Sequence, residues 1–149
     1  GGGVSLIMAA RDERISRVLD FFGPTDFFGP YVQDIAADAL EGGARDLPGF
    51  DVLNARFIQP LKNGEITVAQ MRLELLRRSP AQFADRLPAV QAQHGTDDQT
   101  VLVGQTELLE RALRGRSDAE FFYWEGGVHN PATFPLNWIG EAQRFLGAL

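Results

Sequence analysis

Two short segments hold the residue types that move protons. The first is His94-Gly95-Thr96-Asp97-Asp98-Gln99-Thr100-Val101, and the second is Glu125-Gly126-Gly127-Val128-His129-Asn130-Pro131. A carboxylate that accepts the Nδ1–H of an imidazole fixes its tautomer and leaves Nε2 as a general base, the division of roles in a Ser-His-Asp triad. Asp98 is the expected acid, and its plainer reading is a solvated turn acid or a helix cap. Asp97 is the rival one residue away, as a turn residue or an electrostatic neighbour. His129 is the expected base rather than an exposed loop histidine, because Gly126 and Gly127 permit the tight backbone path that turns a side chain into a cleft. His94 reads as a structural histidine bonded to nearby backbone.

An acid and a histidine so far apart in the chain meet only if adjacent parallel strands end beside each other, since working groups of parallel α/β sheets gather at the carboxyl ends. The sequence supplies that rhythm. A buried helix is expected from Val4 to Ala10, closed by Arg11-Asp12-Glu13-Arg14, then a strand within Ile15–Phe22 ended by Gly23-Pro24. Leu87–Gln93 and Glu120–Trp124 read as two further strands. Gly104–Arg114 reads as a helix with Leu108, Leu109, Ala112 and Leu113 on one face and Gly115 as its stop. Phe134–Leu146 reads as a last helix burying Trp138, Ile139, Ala142, Phe145 and Leu146. Between the first two strands, about 25–80, lie helical pieces at Tyr31–Leu40, Val52–Phe57 and Val68–Arg78. Breaks fall at Gly42-Gly43, Pro48-Gly49 and Asn63-Gly64, and a capping box is expected at Thr67 and Gln70. An insertion of this length is more like a lid than a crossover. The fold class is therefore α/β, with three mainly parallel strands, flanking helices and a helical lid insertion.

Several other features have a plain and a functional reading. Gly1-Gly2-Gly3 reads as close packing of helix on strand, with a phosphate-cradling loop the weaker alternative because no Lys-Ser or Lys-Thr comes after it. Phe21, Phe22, Phe27 and Phe28 read as core before pocket lining. Asp26 reads as an Asx-turn before a cleft residue. Arg72, Arg77 and Arg78 read as a solvated lid face.

Arg78-Ser79-Pro80, Leu87-Pro88, His94-Gly95-Thr96-x-Asp98-x-x-Val101 and Glu125-Gly126-Gly127-x-His129 together resemble the C-terminal half of α/β-hydrolases related to the prolyl oligopeptidase family. Gly1-Gly2-Gly3-Val4, the Ala-Ala-Arg-Asp at 9–12 and Phe22-Gly23-Pro24-Thr25-Asp26 resemble the segment C-terminal to the nucleophile elbow of such enzymes. The resemblance implies a partial α/β-hydrolase fold and serine peptidase- or esterase-type acyl hydrolysis. Asp98 would be the triad acid, His129 the triad histidine, and Gly1 and Gly2 would flank the elbow. Its nucleophile belongs to a G-x-S-x-G turn, yet Ser5, Ser16, Ser79 and Ser117 each lack a glycine two residues later. The serine is expected just before residue 1, and both oxyanion donors are expected outside this sequence as well. The alternative is a non-catalytic binding or assembly module derived from a hydrolase, with the lid helices as its contact surface.

Composition narrows the partners. The 149 residues carry a formal charge of −6, and the 14 basic residues are scattered, so no coherent basic face for nucleic acid is expected. The absence of cysteine excludes disulfides and thiolate chemistry, and two histidines make a His-rich metal site a poor fit. No cofactor is expected. No apolar run approaches the roughly 20 residues that span a bilayer, so a soluble chain is expected, in a compartment the composition does not set. The implied substrate is a small ester or peptide-like molecule, once an N-terminal half completes the enzyme. Strands of half a sheet leave backbone groups unpaired, so self-association or pairing through the exposed sheet edge is expected.

Overall fold

The computed structural model describes residues 1–43 and 50–147, apart from the side chain of Tyr31. The break expected at Pro48-Gly49 lies outside the described residues. Three parallel strands form the sheet in the order β1 (Arg17–Phe21), β2 (Ala89–Gly95) and β3 (Ala119–Trp124). Arg17 pairs with Ala89 and Phe21 with Gln93, while Val90 pairs with Ala119 and Gly95 with Trp124. The chain divides into two compact units, one of Gly1–Asp26 with Arg78–Leu149 and the other of Phe27–Arg77.

Alternation along the strands sorts the first unit into two faces. Val18, Val90 and Ala92 point to one face and form a core with Leu6 and Ala9 of α1 (Gly2–Ala9), Leu109 of α6 (Gly104–Ala112) and Leu113 just beyond it. Leu6, Val90 and Leu109 are completely buried, each contributing roughly 1.5–3 kcal/mol relative to exposure. Phe21, Gln91, Gln93 and Glu120 point to the other face, against α7 (Asn137–Leu146). There Gln91 donates to Glu120 and to the Glu141 carbonyl, and Gln93 donates to Gln91 and to the Trp138 carbonyl. Two fully buried glutamines therefore replace apolar packing with a satisfied amide ladder.

The second unit contains α2 (Pro30–Leu40), α3 (Phe50–Leu53), a π-helical stretch Asn54–Ile58, α4 (Gln59–Lys62) and α5 (Val68–Leu76). The capping box forms as expected: Gln70 N–H donates to Thr67 Oγ1, and Thr67 N–H donates to Gln70 Oε1. Phe27, Phe28, Val32, Phe57, Ile58 and Leu75 help line an apolar hollow of about 340 Å³ inside this unit.

Several expectations are corrected. Helix α1 is not buried all round, since Val4 is 64% and Met8 57% exposed and only Leu6 and Ala9 lie in the core. A helix on one face of a sheet covers a single stripe. The strand expected to end at Gln93 runs on through His94 and Gly95, and Leu87 instead closes a 3₁₀ stretch, Pro80–Arg86. Helix α7 begins at Asn137 rather than Phe134, with Pro135 and a 3₁₀ turn at Pro131–Thr133 before it; Ile139 and Leu146 are exposed. On α6, Ala112 is exposed, whereas the polar Gln105 and Thr106 are buried.

Close approach explains two glycines. A Cβ on Gly2 would lie 1.8 Å from Asp20 Oδ1, and one on Gly23 would lie 2.3 Å from the same oxygen. Gly1 has open space. Asp20 itself is fully buried, and neither oxygen has a hydrogen-bond partner of ordinary geometry among the described residues. Burial pushes its carboxyl up to about 7, against a pull the other way from the Gly23 backbone. An unfolded aspartate titrates near 3.9, so the native state holds an extra proton between about pH 4 and pH 7 and loses stability as pH rises through that window. Asp20→Asn is expected to stabilise the chain by on the order of 2–3 kcal/mol more at pH 8 than at pH 5. Urea unfolding at the two pH values checks this, and an equal effect at both would contradict it.

Candidate active site

Two loops extend from the carboxyl ends of β2 and β3, and backbone hydrogen bonds lock them together. Thr96 N–H donates to the Trp124 carbonyl at 3.0 Å, and Asp97 N–H donates to the Gly127 carbonyl at 2.9 Å. Gly126 N–H donates to Thr96 Oγ1 at 2.9 Å, and Gly126 adopts φ +67°, where glycine carries no Cβ penalty. Gly95 and Gly127 touch backbone to backbone: a Cβ on Gly95 would lie 2.1 Å from the Gly127 carbonyl oxygen.

The locked loops bring Asp98 and His129 together. His129 Nδ1 lies 2.7 Å from Asp98 Oδ2, with the Asp98 side chain fully buried and the His129 side chain 36% exposed. The other carboxylate oxygen, Oδ1, accepts N–H bonds from Thr100 at 2.8 Å and Val101 at 3.0 Å. A carboxylate only accepts, so the proton on the shared edge belongs to Nδ1 and the lone pair sits on Nε2. Asp97 is exposed, and among the described residues no hydrogen bond joins its side chain to His129.

The His129 ring packs against Phe22 in a tilted arrangement, 4.4 Å between centroids and 48° between ring planes. Phe22 is the one non-glycine residue with positive φ among those described, +42°, at the point where β1 turns into Gly23-Pro24. Phe21 and Phe22 are expected in the core and are only partly buried. They instead help line a recess of about 350 Å³ shared with Gly1, Gly2, Ser5, Gly23 and His129. Ser5 faces this recess, but its hydroxyl donates to the Gly1 carbonyl, and no hydrogen bond reaches His129 Nε2 among the described residues. Asp26 is buried and accepts from Gln82 Nε2 at 2.9 Å, so it anchors the 3₁₀ stretch rather than facing a cleft.

His94 is fully buried, as a structural histidine should be. Burial lowers its pKa from the ordinary value, with the Val101 carbonyl and the charge of Asp98 opposing that fall. Its bond to Thr106 is a contact that the sequence reading lacks. The available signal was a threonine three residues before Leu109 on the buried stripe of α6.

Solved structures of similar shape agree on the architecture. A puromycin-hydrolyzing peptidase of Mycobacterium tuberculosis matches 84% of this chain at 23% identity and a TM-score of 0.57, over 16% of its own length. An acetyl xylan esterase from Paenibacillus sp. R4 matches 99% of this chain at 20% identity and a TM-score of 0.63, over 42% of its own length. The α/β-hydrolase MGS-M2, from a deep-sea metagenome library, matches 97% at 14% identity and a TM-score of 0.51, over 61% of its length. The fold is that of the α/β-hydrolases. This chain spans less than two thirds of each of these structures, so it carries part of that α/β-hydrolase fold. No protein-family model matches the chain, and no curated protein matches it in sequence.

Proposed function

We propose that this chain supplies the acid and base of a serine hydrolase acting on small ester or peptide-like carbonyls. The observation that carries the reading is the 2.7 Å bond between His129 Nδ1 and buried Asp98, which leaves Nε2 unpaired beside the recess. In this reading a serine outside the present sequence attacks the carbonyl. His129 takes its proton and returns it to the leaving group, while Asp98 holds the imidazole and stabilises its charged form. Gly1 and Gly2, on the rim of the recess, would come directly after the serine-bearing turn. In the described sheet, β1 is an edge strand paired on one side with β2. That edge is where an N-terminal half, or a second copy, would add its strand.

The alternative is a non-catalytic binding or assembly module. The exposure of Leu40, Val52, Val68 and Leu73 on the second unit favours it. A fluorophosphonate probe separates the two readings. The chain alone is expected to stay unlabelled, and a mixture with a serine-bearing N-terminal half is expected to label on that serine and to migrate as one complex. Labelling of the chain alone that survives Ser5→Ala would overturn the site assignment, and a labelled complex would exclude the module reading.

A further inference from the structure

The acid of a triad must point at its histidine, and a carboxylate held by the amides of its own loop is aimed only as firmly as that loop is fixed. Asp98 sits on such a loop, between β2 and α6. Behind it lies His94, fully buried at the end of β2 and engaged at both ring nitrogens. Nδ1 is 2.6 Å from Thr106 Oγ1 on α6, and Nε2 is 2.8 Å from the Val101 carbonyl and 3.3 Å from Asp98 Oδ2. The Val101 carbonyl accepts only, so the ring proton is on Nε2, and bare Nδ1 accepts the Thr106 hydroxyl proton. Val101 in turn gives its N–H to Asp98 Oδ1. The imidazole therefore braces the acid loop against α6.

We propose that His94, held in one tautomer by Thr106, is the positioning residue that aims the Asp98 carboxylate at His129. It presents an N–H edge toward the same Oδ2 that His129 uses, and it fixes the residue whose amide holds Oδ1. An apolar side chain of equal volume would fill the space without giving that direction. Satisfied polar chains in a buried setting rigidify the groups they connect, and this one runs from Thr106 through His94, Val101 and Asp98 to His129. The inference rests on reading Asp98 and His129 as a catalytic pair.

Its test uses the chain as it is. The proton between His129 Nδ1 and Asp98 Oδ2 should give a far-downfield imidazole N–H resonance in the proton NMR spectrum, assigned by its loss in Asp98→Asn. Thr106→Val removes the hydroxyl at nearly constant volume and is expected to abolish the resonance while the chain still melts cooperatively. Thr106→Ser should retain it. Should Thr106→Val fail to fold, His94→Gln, which keeps an N–H donor, should retain the resonance and His94→Leu should lose it. A resonance unmoved in Thr106→Val or His94→Leu would overturn the positioning role and leave the catalytic pair standing. Absence of the resonance from the wild-type chain would remove the pair itself, and with it the function proposed above.

Discussion

Joined to a serine-bearing N-terminal half, the chain is expected to lose on the order of 10³–10⁴-fold in kcat when Asp98 is changed to Asn. The carboxamide keeps the size of the side chain but can present an N–H toward His129 Nδ1, which drives the imidazole into the tautomer with its proton on Nε2. The base is then facing the wrong way. Asp98 is fully buried and its Oδ1 already carries two backbone N–H bonds, so rotation of the amide cannot restore the original pattern without breaking them. His129→Ala removes the base outright and should cost at least as much. Because the two act as a unit, the double variant should be barely worse than the worse single one. Steady-state ester hydrolysis is the measurement, and a fall of less than about tenfold for Asp98→Asn would show that this acid does not orient the base.

Gly95→Ala should be the most damaging glycine substitution for stability, at about 3 kcal/mol or more. The added methyl would meet the carbonyl oxygen of Gly127 at 2.1 Å and its carbonyl carbon at 2.3 Å. Both are backbone atoms, so no rotamer change relieves the clash and the two loops at the ends of β2 and β3 must part. Asp97 N–H, which donates to that same carbonyl, loses its partner as they separate. A comparison with Gly127→Ala is informative: its Cβ would meet Phe134 Cδ1 at 2.8 Å and the Gly95 Cα at 3.0 Å, less severe approaches than those at Gly95, so a smaller loss is expected. Gly140→Ala serves as the control, because open space surrounds it within α7 and the change should stabilise by about 0.5–1 kcal/mol. Thermal and urea unfolding check all three. An unchanged midpoint for Gly95→Ala would mean that the loops do not touch as described.

These results share one cause. The site is a product of the junction between two loops more than of either loop alone. Thr96 caps Gly126, Asp97 caps Gly127, and the Trp124 carbonyl accepts from both Thr96 and Gly127. Trp124 is tied in turn through its indole N–H to Gln93, on the amide ladder beneath α7. The short reach from Asp98 to His129 is therefore supported from both faces of the sheet, through His94 and Thr106 on one and Gln93 and Trp138 on the other.

Sequence alone determined the alternation of strand and helix, the parallel sheet and the meeting of an acid from the His94–Val101 segment with His129. The reason is physical: apolar runs bounded by glycine and proline record burial directly, and parallel strand order leaves the loops at their carboxyl ends as neighbours. It also assigned the capping box at Thr67, where the whole interaction spans three residues. Tertiary structure alone decided which helix faces are wet, because exposure of Met8, Ile139 and Leu146 depends on the groups that stand opposite them. It alone decided between Asp97 and Asp98, where one step along the loop turns a side chain from solvent to the interior. Phe22 against His129, Thr106 against His94 and the carboxyl of Asp20 over Gly2 belong to the same class. Each is a contact between residues distant in sequence, set by backbone geometry that no local spacing encodes.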